Sequence, residues 1–260
     1  MLFPRVIPCL LIHNNGVVKT TNFKNPRYIG DPINAVKIFN EKSVDELIIL
    51  DIDATVNSKP PNYELIEKIA VECRMPISYG GGVKTKEQVQ KIISLGVEKV
   101  SISSAFINDL TIINELSESV GNQSLSITID IKSNLLKQYQ IVTNNAKKNS
   151  KYNLDDVIDF LKSNPIGEVI INSVDKDGTM NGYDFKLIDK FYSKLKTPIT
   201  VIGGAGCLED LENLINRFGL IGAAAGSLFV YKGIYKAVLL NYPSEEEKET
   251  IFSKFSRENL

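Results

Sequence analysis

The chain is poor in the residues that metal and nucleophilic chemistry use most. It has three cysteines, Cys9, Cys73 and Cys207, and one histidine, His13, in 260 residues. Cysteines so few and so scattered exclude a disulfide framework and a metal knuckle, and they read as reduced, buried thiols of a cytoplasmic protein. A lone histidine with no cysteine or serine motif beside it gives no support to nucleophilic catalysis. Neither a metal nor a cofactor is expected. Charge of one sign is also lacking: 30 Lys and Arg meet 31 Asp and Glu, a formal net charge of -1, which argues against a nucleic-acid partner. No window approaches the ~20 apolar residues of a membrane span. The opening M-L-F-P-R-V-I-P-C-L-L-I has neither the basic start nor the long apolar core of a signal peptide.

What the chain does have is alternation. Short apolar runs predict strands at Val6–Ile12, Glu46–Ile52, Pro76–Tyr79, Lys99–Ile102, Leu125–Ile131, Glu168–Val174, Ile199–Ile202 and Ile221–Ala225. Amphipathic segments between them predict helices at Pro32–Lys42, Tyr63–Glu72, Lys86–Leu95, Leu154–Leu161, Phe185–Leu195 and Leu208–Ile215. Eight β units, most followed by a helix, predict a closed (β/α)8 TIM barrel in one domain over residues 1–260. A repeat supports this. P-I-S-Y-G-G-G-V from Pro76 returns as P-I-T-V-I-G-G-A-G from Pro198, and Glu46-Leu47-Ile48-Ile49 returns as Glu168-Val169-Ile170-Ile171. Two half-barrels, about 1–120 and 121–260, related by a pseudo-twofold, are the natural reading. The Glu- and Lys-rich Ser244–Phe255 predicts a solvated closing helix. Arg5 to Lys19 reads as an opening barrel strand with a short hairpin after it, and Asn14 to Asp31 and Asn134 to Lys151 are too long for tight turns and read as flaps over a site.

The chemistry-bearing residues cluster at strand ends. Gly80-Gly81-Gly82 with Ser103-Ser104, and Gly203-Gly204 with Gly226-Ser227, make two candidate phosphate cradles. Glycine lets backbone N–H groups approach an anion, and a following helix start adds its positive end. Tight turns are the plainer alternative. Asp130 ends the strand S-I-T-I-D-I-K and is the first candidate for a general acid or base, because it shares a face with Thr128 and Ser126. Asp51, Asp53, Asp175 and Asp177 crowd similar positions, with a cap or loop role as the alternative. The strand R-V-I-P-C-L-L-I near the N-terminus carries Leu11 where the later strand carries Asp130. At the opposite strand ends stand Arg5, Glu46, Lys99 and Glu168. Two cations and two anions there would ring the bottom of the barrel, since buried charge is tolerated only when paired. From the residues alone, such a ring reads as a stability network.

These motifs together resemble a known family. R-V-I-P-C-L, G-D-P at Gly30–Pro32, D-E-L-I-I-L-D-I at Asp45–Ile52, Y-G-G-G-V, E-K-V-S-I-S, D-K-D-G-T-M-N-G-Y-D and G-G-A-G are similar to the cyclase subunit of imidazole glycerol phosphate synthase over nearly the whole chain. The resemblance implies a barrel that docks a glutaminase subunit on its N-terminal face and passes ammonia up its bore to a bisphosphorylated substrate. It implies that Arg5, Glu46, Lys99 and Glu168 form a gate, that Glu98 meets the glutaminase, and that Asp130 and Lys19 are catalytic. Gly82, Ser103, Ser104, Asp177, Gly178, Gly204, Gly226 and Ser227 fall at the phosphate sites. The departures gather at the reaction end: Leu11 replaces a second catalytic aspartate, Ser103 an asparagine, Asp53 and Asn172 threonines, and Thr20 a glycine. That combination is similar to the paralogous group of surface-polysaccharide pathways, where ammonia serves a third, sugar-modifying enzyme that makes an acetamidino sugar. The expected function is therefore an ammonia-channelling subunit of a glutamine-dependent amidotransferase. The alternatives are the histidine-pathway cyclase itself, the related aminoaldose–ketose isomerase, and a scaffold that only activates the glutaminase.

Overall fold

In the computed structural model, which describes residues 3–258, eight parallel strands close on themselves. They are β1 (Arg5–His13), β2 (Leu47–Asp51), β3 (Ile77–Gly80), β4 (Lys99–Ile102), β5 (Leu125–Ser133), β6 (Glu168–Ser173), β7 (Ile199–Ile202) and β8 (Gly222–Ala225). Each pairs with the next. The ring is completed by β8 against β1, from Arg5↔Gly222 to Pro8↔Ala225, and by β5 against β6, from Ser126↔Glu168 to Ile131↔Ser173. Helices α1 (Pro32–Glu41), α2 (Tyr63–Glu72), α3 (Lys86–Ser94), α4 (Ile112–Val120), α5 (Leu154–Ser163), α6 (Phe185–Tyr192) and α7 (Leu208–Phe218) fill the crossovers, which makes the fold a (β/α)8 barrel.

Alternation along each strand divides two cores. Val6, Leu10 and Ile12 of β1 face outward into the large layer between strands and helices, where Phe39, Phe106, Phe191 and Phe229 are fully buried. Ile7, Cys9 and Leu11 face inward and meet Ile48, Ile170, Ile202 and Ala224 in a smaller cluster inside the barrel. Helix starts follow the local chemistry. Asp31 caps α1 ahead of Pro32, and Thr85 with Gln88, then Asn153 with Asp156, close capping boxes on α3 and α5. Helix α4 was not among the predicted helices; it buries only Ile113 and Leu116 of its nine residues.

The flaps are hairpins. After β1 the chain returns as Gly16–Thr21 and then Lys24–Gly30, and Leu11 pairs with Val18. After β5 it returns as Tyr139–Thr143, with Lys148–Asn149 beyond. A third hairpin, Tyr231–Lys232 with Ala237–Val238, follows β8 and was not expected.

The closing helix α8 (Glu245–Glu258) is less solvated than its composition predicts. It buries Ile251, and Lys248 is buried against Asp45 at 3.1 Å. Asp45 in turn accepts from the Val6 amide at 2.9 Å, while the Tyr242 hydroxyl donates to the Val6 carbonyl at 2.9 Å. The C-terminal segment is thus a clasp on β1. Among the described residues, no helix is long and apolar enough to cross a membrane.

Candidate functional site

Strand parity brings the separated carboxylates and cations to the two ends of one bore. At the N-terminal end Arg5 bridges Glu46 and Glu168, with Arg5 Nη2 2.6 Å from Glu168 Oε1. Lys99 Nζ reaches Glu168 Oε2 at 2.8 Å and Glu46 Oε1 at 3.3 Å. The four side chains close a ring of alternating sign. Both carboxylates are almost fully buried, and each meets both cations. Burial pushes the Glu46 carboxyl up, and the neighbouring Glu168 charge adds to that. Burial pushes Glu168 up too, but the charges of Arg5 and Lys99 outweigh it and hold that carboxyl below the usual range. Thr200 donates to Glu168, and a side chain at Gly222 would collide with the Thr200 hydroxyl. Glu98 stands exposed beside the ring, with one oxygen taken by the Ile77 amide at 2.7 Å.

Above the ring the bore has two unlike walls. One carries Ile7, Ile48, Ile170 and Ala224. The other carries hydroxyls at the inward positions of β3, β4 and β5, Ser78, Ser101, Ser126 and Thr128, while Thr200 on β7 stands between the apolar strands beside Glu168; all five are buried. Ser101 and Thr128 share a hydrogen bond at 2.6 Å, while the Ser78 and Ser126 hydroxyls have no partner. Layers of bulky branched residues usually fill such barrels. Buried hydroxyls without partners are rare, and each costs about 1–3 kcal/mol in desolvation. Thr128 and Ser126 stood out in the sequence. Ser78 and Thr200 did not, although a hydroxyl inside an apolar strand is itself a signal.

At the C-terminal end a cavity of about 390 Å³ opens. Its wall includes Leu11, Lys19, Asp130, Asn172 and Asp177, and its floor reaches Cys9, Ser101 and Thr128, so on β1 only Ile7 separates it from the ring. Asp130 lies across this mouth from Leu11 and accepts from Asn172 Nδ2 at 2.9 Å. Burial, reinforced by Asp177, pushes Asp130 up to about 7 in spite of that hydrogen bond. A carboxyl so placed can exchange a proton at neutral pH. Burial likewise pushes the Cys9 thiol up to about 11, which keeps it protonated and inert.

The two glycine cradles differ. Gly82, Ser103 and Ser104 line the cavity, and the Ser103 hydroxyl is buried without a partner. Gly178, Gly204, Gly226 and Ser227 do not line it. Over them lies the first hairpin, held by Thr20 Oγ1 to Asp177 Oδ2 at 2.6 Å and by the Phe23 amide to the same oxygen at 3.0 Å. Gly178, at φ +69°, has no room for a side chain beneath the Thr20 carbonyl. Lys19, nearly fully buried, places its ammonium against Gly226. The other aspartates peg loops. Asp51 accepts from the Asp53 and Ala54 amides, Asp175 from the Ser133 amide, and Asp53 from the Asn14 amide. His13, for which no partner is evident from neighbouring residues, has its Nδ1 2.7 Å from Asp53 Oδ1.

The family model described as histidine biosynthesis protein matches residues 5–236. A HisF subunit of imidazole glycerol phosphate synthase, provisionally so named, from Leptospira interrogans is 50% identical over 253 residues, 97% of this chain and all of that one. A provisionally named hisF3 subunit from Vibrio vulnificus is 50% identical over 96% of each chain. The imidazole glycerol phosphate synthase subunit HisF of Natranaerobius thermophilus is 34% identical over 96% of this chain and 99% of its own. With its barrel closed as described and its sequence aligned along almost its whole length, the chain belongs to the histidine biosynthesis protein family, among the HisF-type subunits of imidazole glycerol phosphate synthase.

Proposed function

We propose that the chain is the barrel subunit of a glutamine-dependent amidotransferase. It receives ammonia from a glutaminase docked on its N-terminal face and delivers it through the bore to the C-terminal mouth. The acceptor on this reading is an acetamido sugar held by a third enzyme of surface-polysaccharide biosynthesis, converted there to an acetamidino sugar. The observation that carries the reading is the contrast between the two ends. The lower half has a closed ion-pair ring and a hydroxyl stripe whose unpartnered Ser78 and Ser126 suit a small molecule that both donates and accepts hydrogen bonds. The upper half pairs Asp130 with a leucine, and a leucine transfers no proton. Loss of a general acid or base costs roughly 10²–10⁴-fold in rate.

Exposed apolar residues flank the ring. Phe3, just before β1, and Leu220, just before β8, are 55% and 46% exposed beside it, which suits a docking surface for the glutaminase. Glu98 is the acidic contact on that face. Gly82, Ser103 and Ser104, with Lys19 and Asp177 lining the same cavity, are the candidate site for a phosphate group in the barrel itself.

The histidine-pathway cyclase is the second reading, favoured by Asp130 at about 7 with Lys19 in the same cavity. One experiment separates them. The barrel is mixed with its glutaminase, and glutamine hydrolysis and imidazole-forming cyclisation are measured in the same tube. Strong hydrolysis without cyclisation is expected, and robust cyclisation at an ordinary enzymic rate would overturn the proposal.

A further inference from the structure

The three hairpins of the C-terminal face share two properties that the cavity does not require. Each carries exposed apolar side chains: Leu135 and Leu136 at the tip of the second stand 103% and 78% exposed, Ile234 and Tyr235 at the tip of the third are 88% each, and Tyr28 along the outer arm of the first is 66% exposed. The second property is charge. No Asp or Glu occurs between Asn14 and Gly30, between Ile131 and Leu154, or between Gly226 and Ser244, so every charged side chain on the hairpins is Lys or Arg. In a chain with 31 acidic residues against 30 basic ones, this segregation leaves the acidic excess elsewhere. The carboxylates of this face, Asp51, Asp130 and Asp177 among them, sit lower, on the strand ends and loops.

The hairpins also surround the outlet. The first crosses from β1 to the loop after β6, where Asn22 Nδ2 donates to the Val174 and Asp175 carbonyls at 3.1 and 2.9 Å. The second leans the other way, and Asn145 Nδ2 donates to the Ile52 carbonyl beyond β2 at 2.8 Å. The third lies beside the first, where Arg27 stacks over Tyr231 with 5.3 Å to the ring centre. Whatever seats on the tips therefore covers the mouth.

We propose that the hairpin tips form a docking face for the ammonia-accepting enzyme, which presents apolar sockets set in an acidic rim. The inference rests on the channel reading above and deepens it. An anionic small substrate would account for the lysines as an attracting field, but not for leucine, isoleucine and tyrosine held in water. A protein surface accounts for both, because large exposed apolar residues anchor interfaces and complementary charge at the rim orients them. Seating over the outlet also lets ammonia pass from bore to acceptor without crossing bulk water.

The test uses the full barrel–glutaminase complex and the sugar-binding acceptor enzyme, with binding read by interferometry. Three surface variants are compared: Leu135→Ser with Leu136→Ser, Ile234→Ser with Tyr235→Ser, and Lys137→Glu with Lys236→Glu. All six side chains are exposed, and circular dichroism checks the fold. Binding is expected to weaken by about ten-fold or more in each variant. Glutamine-supported amidination should fall with it, while ammonium-supported amidination and glutamine hydrolysis stay at wild-type levels. Wild-type binding by all three variants overturns the proposal. So does tip-dependent self-association in sedimentation, or tip-dependent adsorption to vesicles of phosphatidylcholine and phosphatidylglycerol, with no binding to the acceptor enzyme. A barrel that docks but passes on no glutamine nitrogen refutes the channel and not the dock; undiminished transfer by the variants refutes the dock and not the channel.

Discussion

Asp130 ties the stability of the barrel to pH. Its folded-state value of about 7 lies above the ~3.9 of an unfolded aspartate, so the folded chain holds that proton more tightly than the unfolded one. The associated stability is fully present below about pH 4 and is lost as pH rises through about 7. Asp130→Asn removes the charged form. The variant should match wild type at about pH 4 and exceed it at about pH 8 by several kcal/mol, at about 1.4 kcal/mol for each pH unit separating the folded and unfolded values, in urea denaturation at the two pH values. Leu11 calls for the opposite substitution. It packs against Cys9, Val18 and Leu50 within reach of the Asp130 side of the cavity, so Leu11→Asp puts a second carboxyl into an apolar seat. A loss of about 2–3 kcal/mol in urea denaturation is expected, with no cyclisation restored, because Ser103, Asp53 and Asn172, the other departures that the resemblance implies, stay in place. Recovery of an ordinary cyclisation rate would refute this. The departures were legible as residues, but their company was not. Asn172 donates to Asp130, Thr20 to Asp177, and His13 lies against Asp53. Such partners come from strands and loops far apart in sequence, so neither spacing nor composition shows them.

Among the elements, the first hairpin is held shut by Thr20, Asn22 and Phe23 on the loop after β6. Gly178→Ala forces a methyl group toward the Thr20 carbonyl at a positive φ, so it should lift the hairpin. Limited proteolysis between Thr21 and Asn25 should then run about five-fold faster, on the order expected from losing ~1 kcal/mol of local closure. The C-terminal clasp is tested by Tyr242→Phe. That change removes a hydroxyl joined to both Val6 and Asp45 and should cost about 1–2 kcal/mol by urea denaturation. All eight barrel strands could be read from apolar runs, because a strand buried on both faces is nearly continuous in its hydrophobicity. A short hairpin after the first strand could be read as well, but the later hairpin strands could not. Lys24–Gly30 and Ala237–Val238 are exposed, lysine-flanked segments, and their strand conformation comes from pairing with the other arm of their own hairpin rather than from any period of their own.

On the scale of the whole molecule, exposed apolar residues stand at both ends of the barrel, with Ile38, Val71 and Tyr192 scattered singly on the outer helices. Phe3 and Leu220 stand at one end and the hairpin tips at the other. A chain built to bind at one end only would have no use for the second set. Phe3→Ser with Leu220→Ser should weaken glutaminase binding by roughly ten-fold in calorimetry while leaving the acceptor-enzyme dock intact. Between the ends stands the ring of Arg5, Glu46, Lys99 and Glu168. Its valences cancel, so it offers an ammonium ion no well to fall into and a chloride ion none either. Ionic strength has no long-range field to screen there. Nitrogen transfer per glutamine hydrolysed should therefore be the same at roughly 0.05 and 0.5 M salt whenever the partners are saturated, and what the ring admits is selected by neutrality rather than by attraction.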